Sequence, residues 1–255
     1  MGQNGVMATL ASPTAPPRFS GRTPSVILGL FVLVAVANAV STAADSSVAH
    51  NLTTALLVPL LFVWLLGSSV QPLPTPTKLL AVGLVFAWFG DIALLGTGDV
   101  RFITGILMFL VMQVFYILAF RRVPGPGLVR AWPLAIIPYA FVWLLLAIAM
   151  WHESGAKAIP GLIYGLVLAA MAISALDLVL RVPRRLGWRV AIGAALFLLS
   201  DGLIALSAFA GVASSPGLST AVMVTYAVAQ AMIVTGFVLA VNTANPANTV
   251  SRGEE

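Results

Sequence analysis

Residues 78–96 read KLLAVGLVFAWFGDIALLG, an apolar stretch with one acid inside it, Asp91. As a helix this stretch would be about 28 Å long, close to the ~30 Å thickness of the hydrocarbon core of a bilayer. Seven more stretches of similar length and composition occur, at about 24–40, 52–69, 102–120, 132–150, 158–179, 188–210 and 218–241. The sequence therefore predicts an all-α fold, a polytopic bundle of eight transmembrane helices.

The composition agrees with a membrane protein. Of the 255 residues, 60% are hydrophobic and 8% are charged, whereas soluble domains carry roughly 25% charged residues. Because there is no cysteine, disulfides, thiolate metal sites and cysteine nucleophiles are excluded. No histidine or carboxylate cluster has the spacing of a metal site, and no glycine-rich phosphate loop precedes a helix. We therefore expect neither a metal nor a cofactor.

The lysines and arginines indicate the orientation of the helices. With the N-terminus in the cytoplasm, eleven of the 13 lie on the inner side, and Arg101 and Lys157 lie on the outer side. Lysine and arginine favour the cytoplasmic side, so both termini are predicted to be cytoplasmic. Because the loops account for the net charge of +5, this charge does not indicate a nucleic-acid partner. We expect an integral, multi-pass protein of a bacterial plasma membrane.

The two ends of the chain differ in composition from its middle. Residues 1–23 predict a disordered tail, residues 24–241 the transmembrane domain, and residues 242–255 a second disordered tail. Asn38, between two alanines at the end of the first apolar stretch, resembles the context of a signal-peptidase site. A mature chain with seven spans in the same orientation is therefore left open.

Two aspartates lie inside apolar stretches, Asp91 in LVFAWFGDIALLG and Asp201 in AALFLLSDGLIAL. A charged side chain at the centre of a bilayer costs about 3 kcal/mol or more, so such a residue usually has a task or a partner. Asp91 is 13 residues past Lys78 and Asp201 is 12 past Arg189. At ~1.5 Å per residue both lie at a similar depth. We expect them to share one cavity; the alternative is that each caps a kink or pairs with a hydroxyl between helices.

A shared cavity would make the two acids chemically useful. In a low dielectric, two close carboxyl groups do not both ionise readily, so one keeps its proton beside an ionised partner. Glycoside hydrolases use this arrangement to form and stabilise an oxocarbenium-like transition state. Asp91 and Asp201 are therefore the predicted catalytic residues. Their spacing of 110 residues recurs between Tyr116 and Tyr226, which suggests a parallel repeat of four helices.

Polar residues in the other apolar stretches could complete this cavity. Gln113 and Tyr116 share one helix face, and Tyr226 and Gln230 share another. Together with Tyr164, these four are the predicted substrate-binding residues. The alternative is structural, because tyrosine is common at membrane interfaces and glutamine can bond across helices.

These segments resemble the YhhN-like membrane family, whose characterised members are lysoplasmalogenases. The resemblance covers about residues 51–241 and departs from the family pattern at Gln113, where histidine is usual, and at Thr54-Ala55, where Lys-Pro is usual. The motifs that carry it are, in order, FAWFGDIALL around Asp91, Phe102-x-x-Gly105-x-x-x-Phe109-x-x-x-Gln113-x-x-Tyr116, Tyr164 with Met171, GAALFLLSDGLIAL around Asp201, and Thr225-Tyr226-x-x-Ala229-Gln230.

The resemblance implies an integral-membrane hydrolase that cleaves the vinyl ether bond of a lysoplasmalogen-like lysophospholipid and releases a fatty aldehyde. Asp91 and Asp201 would be its acid pair, and its partners would be the lysophospholipid substrate and membrane lipids. Arg101 and Lys157 are candidates to meet the phosphate, although basic loop residues need no ligand. Two alternatives stay open, a proton-coupled transporter and a non-catalytic lipid-binding membrane protein.

Overall fold

The computed structural model describes residues 15–19 and 21–244, without the side chains of residues 156 and 157. This part contains eight helices that are long and apolar enough to cross a membrane, so the predicted all-helical bundle of eight spans is confirmed. In chain order they are α1 (Thr23–Ala43), α2 (Ser47–Ser68), α3 (Thr75–Leu94), α4 (Asp99–Arg121), α5 (Pro133–Ser154), α6 (Ile159–Leu180), α7 (Arg184–Phe209) and α8 (Pro216–Thr243).

Proline marks the start of several helices. Pro24, Pro76, Pro160 and Pro216 lie at the first or second position of α1, α3, α6 and α8. Proline is tolerated there because the first N–H groups of a helix have no partner within it. Beyond the first turn, the backbone N–H and C=O groups of a helix bond to each other. This is necessary in the hydrocarbon core of a bilayer, because no water is present there to bond them. The apolar stretches between these breakers therefore form helices.

Two pairs of consecutive helices pack closely, α3 with α4 and α7 with α8. Glycine permits both approaches. A Cβ atom on Gly83 would lie 2.7 Å from the ring of Tyr116, and one on Gly193 would lie 2.9 Å from the Cβ atom of Met232. Side chains of the neighbouring helix thus occupy the space that a larger residue would need.

The centre of the bundle is α8, which contacts α1, α2, α3 and α7. In its second half, 12 of the 16 residues from Tyr226 to Val241 are buried. By contrast, α5 lies at the periphery, and Met150 is the one buried residue between its ends. Polar residues on α3, α7 and α8 can therefore face one another inside the bundle, whereas most of α5 faces outward.

Most of the two predicted disordered tails, 1–23 and 242–255, lies outside the described residues. Within the first, Ala15 and Gln71 exchange two backbone hydrogen bonds of 2.7 and 3.0 Å. The N–H group of Phe19 bonds to a carbonyl near the end of α2 over 2.8 Å. This short part of the predicted tail thus packs against the bundle. The cytoplasmic placement of both termini stays a prediction from the charge pattern.

Asn38 ties the first helix to the second. It lies inside α1 and is buried, with 1% exposure. Its amide donates to the hydroxyl of Thr54 over 2.7 Å and to that of Thr53 over 3.0 Å. The segment that resembles a signal-peptidase site is therefore part of a polar contact between α1 and α2.

Candidate active site

Asp91 in α3 and Asp201 in α7 line the same small cavity, which has a volume of about 80 Å³. Both side chains are buried, with exposures of 6% and 8%. Within the described residues, α3 and α7 are not a closely packed pair, so the two acids meet across this cavity. The other lining residues are Leu94, Phe102, Ile106, Phe109, Gly161, Tyr164, Ser200, Ile204, Ala205, Phe209, Val222, Met223 and Tyr226.

A tyrosine from α6 contacts the second acid. The hydroxyl of Tyr164 donates a hydrogen bond to Oδ2 of Asp201. Gly161, which lies on the same face one turn before Tyr164, allows α5 to approach, because a Cβ atom there would overlap with Met150. The position of Tyr164 therefore depends on close packing around the first turns of α6.

A tyrosine from α8 contacts the first acid. The hydroxyl of Tyr226 donates to Oδ2 of Asp91 over 2.9 Å. The Tyr226 ring packs edge-on against Phe109 and Phe197, with ring centroids 5.9 and 5.7 Å away. Edge-to-face contacts are a favoured aromatic geometry and hold the ring in one orientation. Each carboxyl group thus has its own tyrosine donor, and the two donors come from different helices.

The small residue before each aspartate has a packing role. A Cβ atom on Gly90 would lie 2.8 Å from the ring of Phe109, so glycine lets this ring lie beside Asp91. At the equivalent position in α7, the hydroxyl of Ser200 donates to the carbonyl oxygen of Val222 in α8 over 3.0 Å. The two acids thus have similar local sequences because the small residue before each one makes a close contact, Gly90 with α4 and Ser200 with α8.

Only Tyr164 and Tyr226 of the predicted substrate-binding residues line the cavity; Gln113, Tyr116 and Gln230 do not. The hydroxyl of Tyr116 donates to Oε1 of Gln230 over 2.8 Å, and both residues are buried. Gln113 has 0% exposure, and its amide atoms make no hydrogen bond of ordinary length within the described residues. A shared helix face indicates the direction of these side chains but not their distance from a cavity.

The apolar wall of the cavity is not distinguished by the sequence. Leu94, Ile106 and Met223 line it, but the same residue types occur along every helix of the bundle, so no pattern distinguishes them. Phe102 and Phe109 are different, because both belong to the sequence motif with Gln113 and Tyr116 that resembles the family pattern. That motif was a usable signal for two wall residues.

This arrangement can donate a proton and stabilise a positive charge. Two carboxyl groups and two tyrosine hydroxyls meet inside an otherwise apolar wall, where electrostatic interactions are stronger than in water. The cavity is large enough for a reacting group and at least one water molecule. Within the part of the chain that the structure describes, no group of three or more His, Cys, Asp or Glu residues could hold a metal ion.

These features define a polytopic membrane protein with a pair of buried acids at an intramembrane site. The chain belongs to the YhhN family, which it matches over residues 49–237. This match runs from α2 to α8, includes all the predicted site residues, and confirms the resemblance seen in the sequence. Neither the curated proteins nor the solved structures include a match to this chain.

Proposed function

We propose that this protein is a hydrolase of the lysoplasmalogenase type, which cleaves the vinyl ether bond of a lysophospholipid by acid catalysis. The observation that carries the proposal is the pair of buried carboxyl groups, Asp91 and Asp201, on one cavity and each with a tyrosine donor. Membership of the YhhN family, which is associated with lysoplasmalogenase activity, supports it.

The reaction begins with proton transfer from one carboxyl group to the vinyl carbon that does not carry the ether oxygen. The carbon that carries the oxygen then becomes an oxocarbenium ion, and the ionised carboxylate stabilises its positive charge. Water adds to this carbon and loses a proton to the carboxylate. The carboxyl group that took this proton delivers it to the departing ether oxygen, and the hemiacetal hydroxyl gives its own proton to the other carboxylate. The hemiacetal thus collapses to a fatty aldehyde and a glycerophospho-alcohol, and the acid pair returns to its starting state.

The tyrosines orient the two acids for these steps. Tyr164 and Tyr226 donate to one oxygen of Asp201 and of Asp91, respectively, which leaves the other oxygen of each carboxyl group available to the substrate. Hydrogen-bond donors that are already oriented in the free protein do not have to reorganise during the reaction. This preorganisation is the main source of electrostatic catalysis. The apolar wall excludes bulk water and suits the alkenyl carbons of the substrate.

The proposed setting is a bacterial plasma membrane with both termini in the cytoplasm. The proposed partners are a lysophospholipid with a single alkenyl chain and the surrounding membrane lipids. Because the eight helices are apolar on the outside, such a single-chain lipid can approach the bundle from within the bilayer. The substrate is itself a component of the membrane that the helices span.

Replacement of each acid by its amide tests the proposal. We expect Asp91→Asn and Asp201→Asn to lower aldehyde release from a lysoplasmalogen by at least about 10²-fold each, because an amide neither donates an acid proton nor carries a negative charge. The measurement uses purified protein in lipid nanodiscs, with the thermal unfolding midpoint as a check of folding. Asp99→Asn is the matched control, since Asp99 is exposed at the start of α4. Wild-type turnover in either folded site variant contradicts the paired mechanism.

The two alternative functions are separated by further measurements. In proteoliposomes, aldehyde release without solute or proton flux favours the hydrolase, and flux without aldehyde favours a transporter. The non-catalytic alternative is tested with Gln113→His, which introduces the histidine usual in the family. Aldehyde release that appears only in this variant would mean that the natural chain binds lipid without cleaving it.

A further inference from the structure

A large apolar groove runs along the outside of the bundle between α5 and α7. It begins at Leu128 and Leu180, beside the two connections α4–α5 and α6–α7, and its volume is about 1000 Å³. The charge pattern predicts that both connections are cytoplasmic, so we call this groove the inner groove. Among the residues that the structure describes, the inner groove and the cavity of the two acids share no lining residue. The proposed reaction therefore does not use it.

Two helix faces form the walls of the inner groove. Ala135, Pro138 and Val142 line it from the start of α5, at the three- and four-residue spacings of a single face. Trp188 and Leu199 line it from α7. These two residues lie 11 positions apart, which is about 16 Å along a helix. This length is about half of the ~30 Å hydrocarbon core, so the groove matches an acyl chain in one leaflet.

Aromatic side chains lie at the end of the groove near the membrane surface. Trp132 and Trp188 both line it, with exposures of 71% and 39%. Tryptophan is enriched at the interface between bilayer and water, where its ring lies at the level of the lipid headgroups. Tyr139 also lines the groove, and its hydroxyl makes no hydrogen bond within the described residues. The ester carbonyl of a diacyl lipid would supply the acceptor that this hydroxyl lacks.

Arginines lie beside the same end of the groove. Arg184 and Arg185 precede Trp188 by four and three residues, so they lie on its side of α7. Both arginines are exposed, and neither makes an ion pair within the described part of the chain. Arg130 lies in the short helix Leu128–Ala131, and both end residues of this helix line the groove. Three positive charges thus surround the end of an apolar groove.

Acidic side chains do not neutralise these arginines. The lining of the groove, as far as the structure describes it, includes no aspartate or glutamate. Asp177 lies on this side of the bundle, but its carboxylate is paired with Arg181 over 3.3 Å and accepts a backbone N–H group over 2.8 Å. The charge that complements the end of the groove is therefore that of an anion from outside the chain.

We propose that the inner groove binds an anionic diacyl phospholipid of the membrane, with one acyl chain between α5 and α7 and the phosphate beside Arg184 and Arg185. Basic pockets between transmembrane helices on the cytoplasmic side recognise anionic headgroups in this way. The lipid is a bound partner and not a substrate, because the groove does not include the acid pair. It fills the space beside α5, which has few buried residues of its own.

The test measures lipid binding to the delipidated full-length protein in a neutral detergent by native mass spectrometry. Dioleoyl phosphatidylglycerol is the anionic probe, and dioleoyl phosphatidylcholine has the same chains without a net charge. We expect the anionic lipid to bind at least about tenfold more tightly, because each arginine near the membrane surface strengthens binding of an anionic lipid about fivefold. Glycerol 3-phosphate, which has the phosphate but no chain, should not compete with it.

A pair of charge variants separates the groove from the general surface charge. Arg184→Gln/Arg185→Gln should reduce the preference for the anionic lipid to below about threefold. Arg121→Gln/Arg122→Gln is the matched control and should retain the preference. It removes the same charge from exposed residues at the end of α4, which does not pack closely against α5 or α7 within the described residues.

A second pair of variants tests the acyl-chain site without removing charge. Ala195 is exposed on α7 and lines the groove. Ala195→Trp should fill part of the groove and weaken the binding of both lipids by about tenfold through steric exclusion. Ile192→Trp is the control, because Ile192 is 48% exposed on the same helix and does not line the groove. It should bind both lipids as the wild type does.

Several outcomes would overturn the proposal. They are equal binding of the two lipids by the wild type, equal losses in the two double-arginine variants, unchanged binding in Ala195→Trp, and competition by glycerol 3-phosphate. A protein dimer that dissociates in Ala195→Trp would also overturn it, since the groove would then hold a second copy of the chain. None of these measurements involves aldehyde release, so this proposal and the hydrolase proposal stand or fail separately.

Discussion

At the residue scale, the two acids have hydrogen-bond donors, whereas the buried amide of Gln113 has only a weak interaction with the hydroxyl of Tyr164. Asp91 and Asp201 each accept a bond from a tyrosine. Both amide atoms of Gln113 lack a hydrogen bond of ordinary length within the described residues. A buried polar group without a partner costs about 1–3 kcal/mol. Gln113 is therefore a position where the folded bundle loses stability.

A change at Gln113 should consequently stabilise the protein. Gln113→Met keeps the length of the side chain but removes both amide atoms, and we expect it to raise the free energy of unfolding by about 1 kcal/mol. Aldehyde release should fall, because Gln113 interacts with the hydroxyl of Tyr164, which is the donor to Asp201. Denaturant unfolding in detergent and the aldehyde assay measure these two outcomes.

Gln230→Met is the matched control for this prediction. It removes the acceptor of the Tyr116 hydroxyl, so it should lower stability where Gln113→Met raises it. A Gln113→Met variant that is destabilised would show that the amide has a bound partner in the membrane.

At the element scale, the pairs α3–α4 and α7–α8 agree with a four-helix repeat, but their hydrogen bonds do not. Tyr226 in α8 donates to Asp91 in α3. Tyr116, its counterpart 110 residues earlier, donates to Gln230 rather than to Asp201. The two halves thus resemble each other in helix packing and differ in the chemistry of the site.

The contact between α7 and α8 depends on a small residue at Gly193. A Cβ atom there would lie 2.9 Å from the Cβ atom of Met232 and 3.0 Å from the carbonyl oxygen of Ala229. Neither atom can move without a shift of the helix. We therefore expect Gly193→Ala to lower the free energy of unfolding by about 1–3 kcal/mol, as overpacking does.

Gly29→Ala is the control for the packing prediction. A Cβ atom on Gly29 has no neighbour within 4 Å, so alanine adds no clash in α1. Because alanine favours helices over glycine by about 1 kcal/mol, this variant should be neutral or more stable. Equal destabilisation of the two variants in detergent unfolding would argue against the packing explanation.

At the scale of the whole molecule, the orientation decides which compartment the α1–α2, α3–α4 and α7–α8 connections face. The charge pattern predicts that the α3–α4 connection is outside and the α6–α7 connection inside. Since the chain has no cysteine, single cysteines can report each side without background. We expect a membrane-impermeant maleimide to label Thr97→Cys in intact cells and Arg184→Cys only after lysis. Reversed labelling would place the α3–α4 connection in the cytoplasm and contradict the predicted orientation.

The number of helices, their approximate ends and the two acids follow from the sequence by itself. These are local properties, because the length of an apolar stretch and the breakers beside it determine whether it spans a bilayer. The partners of the acids depend on the tertiary structure. Asp91 meets Tyr226, which is 135 positions away in the chain, while Tyr116 and Gln113 on a polar helix face lie behind the cavity. Only the packing of α3, α6, α7 and α8 decides which polar groups face one another. The reason is that the helices are almost uniformly apolar, so the sequence of one helix does not indicate which other helices pack against it.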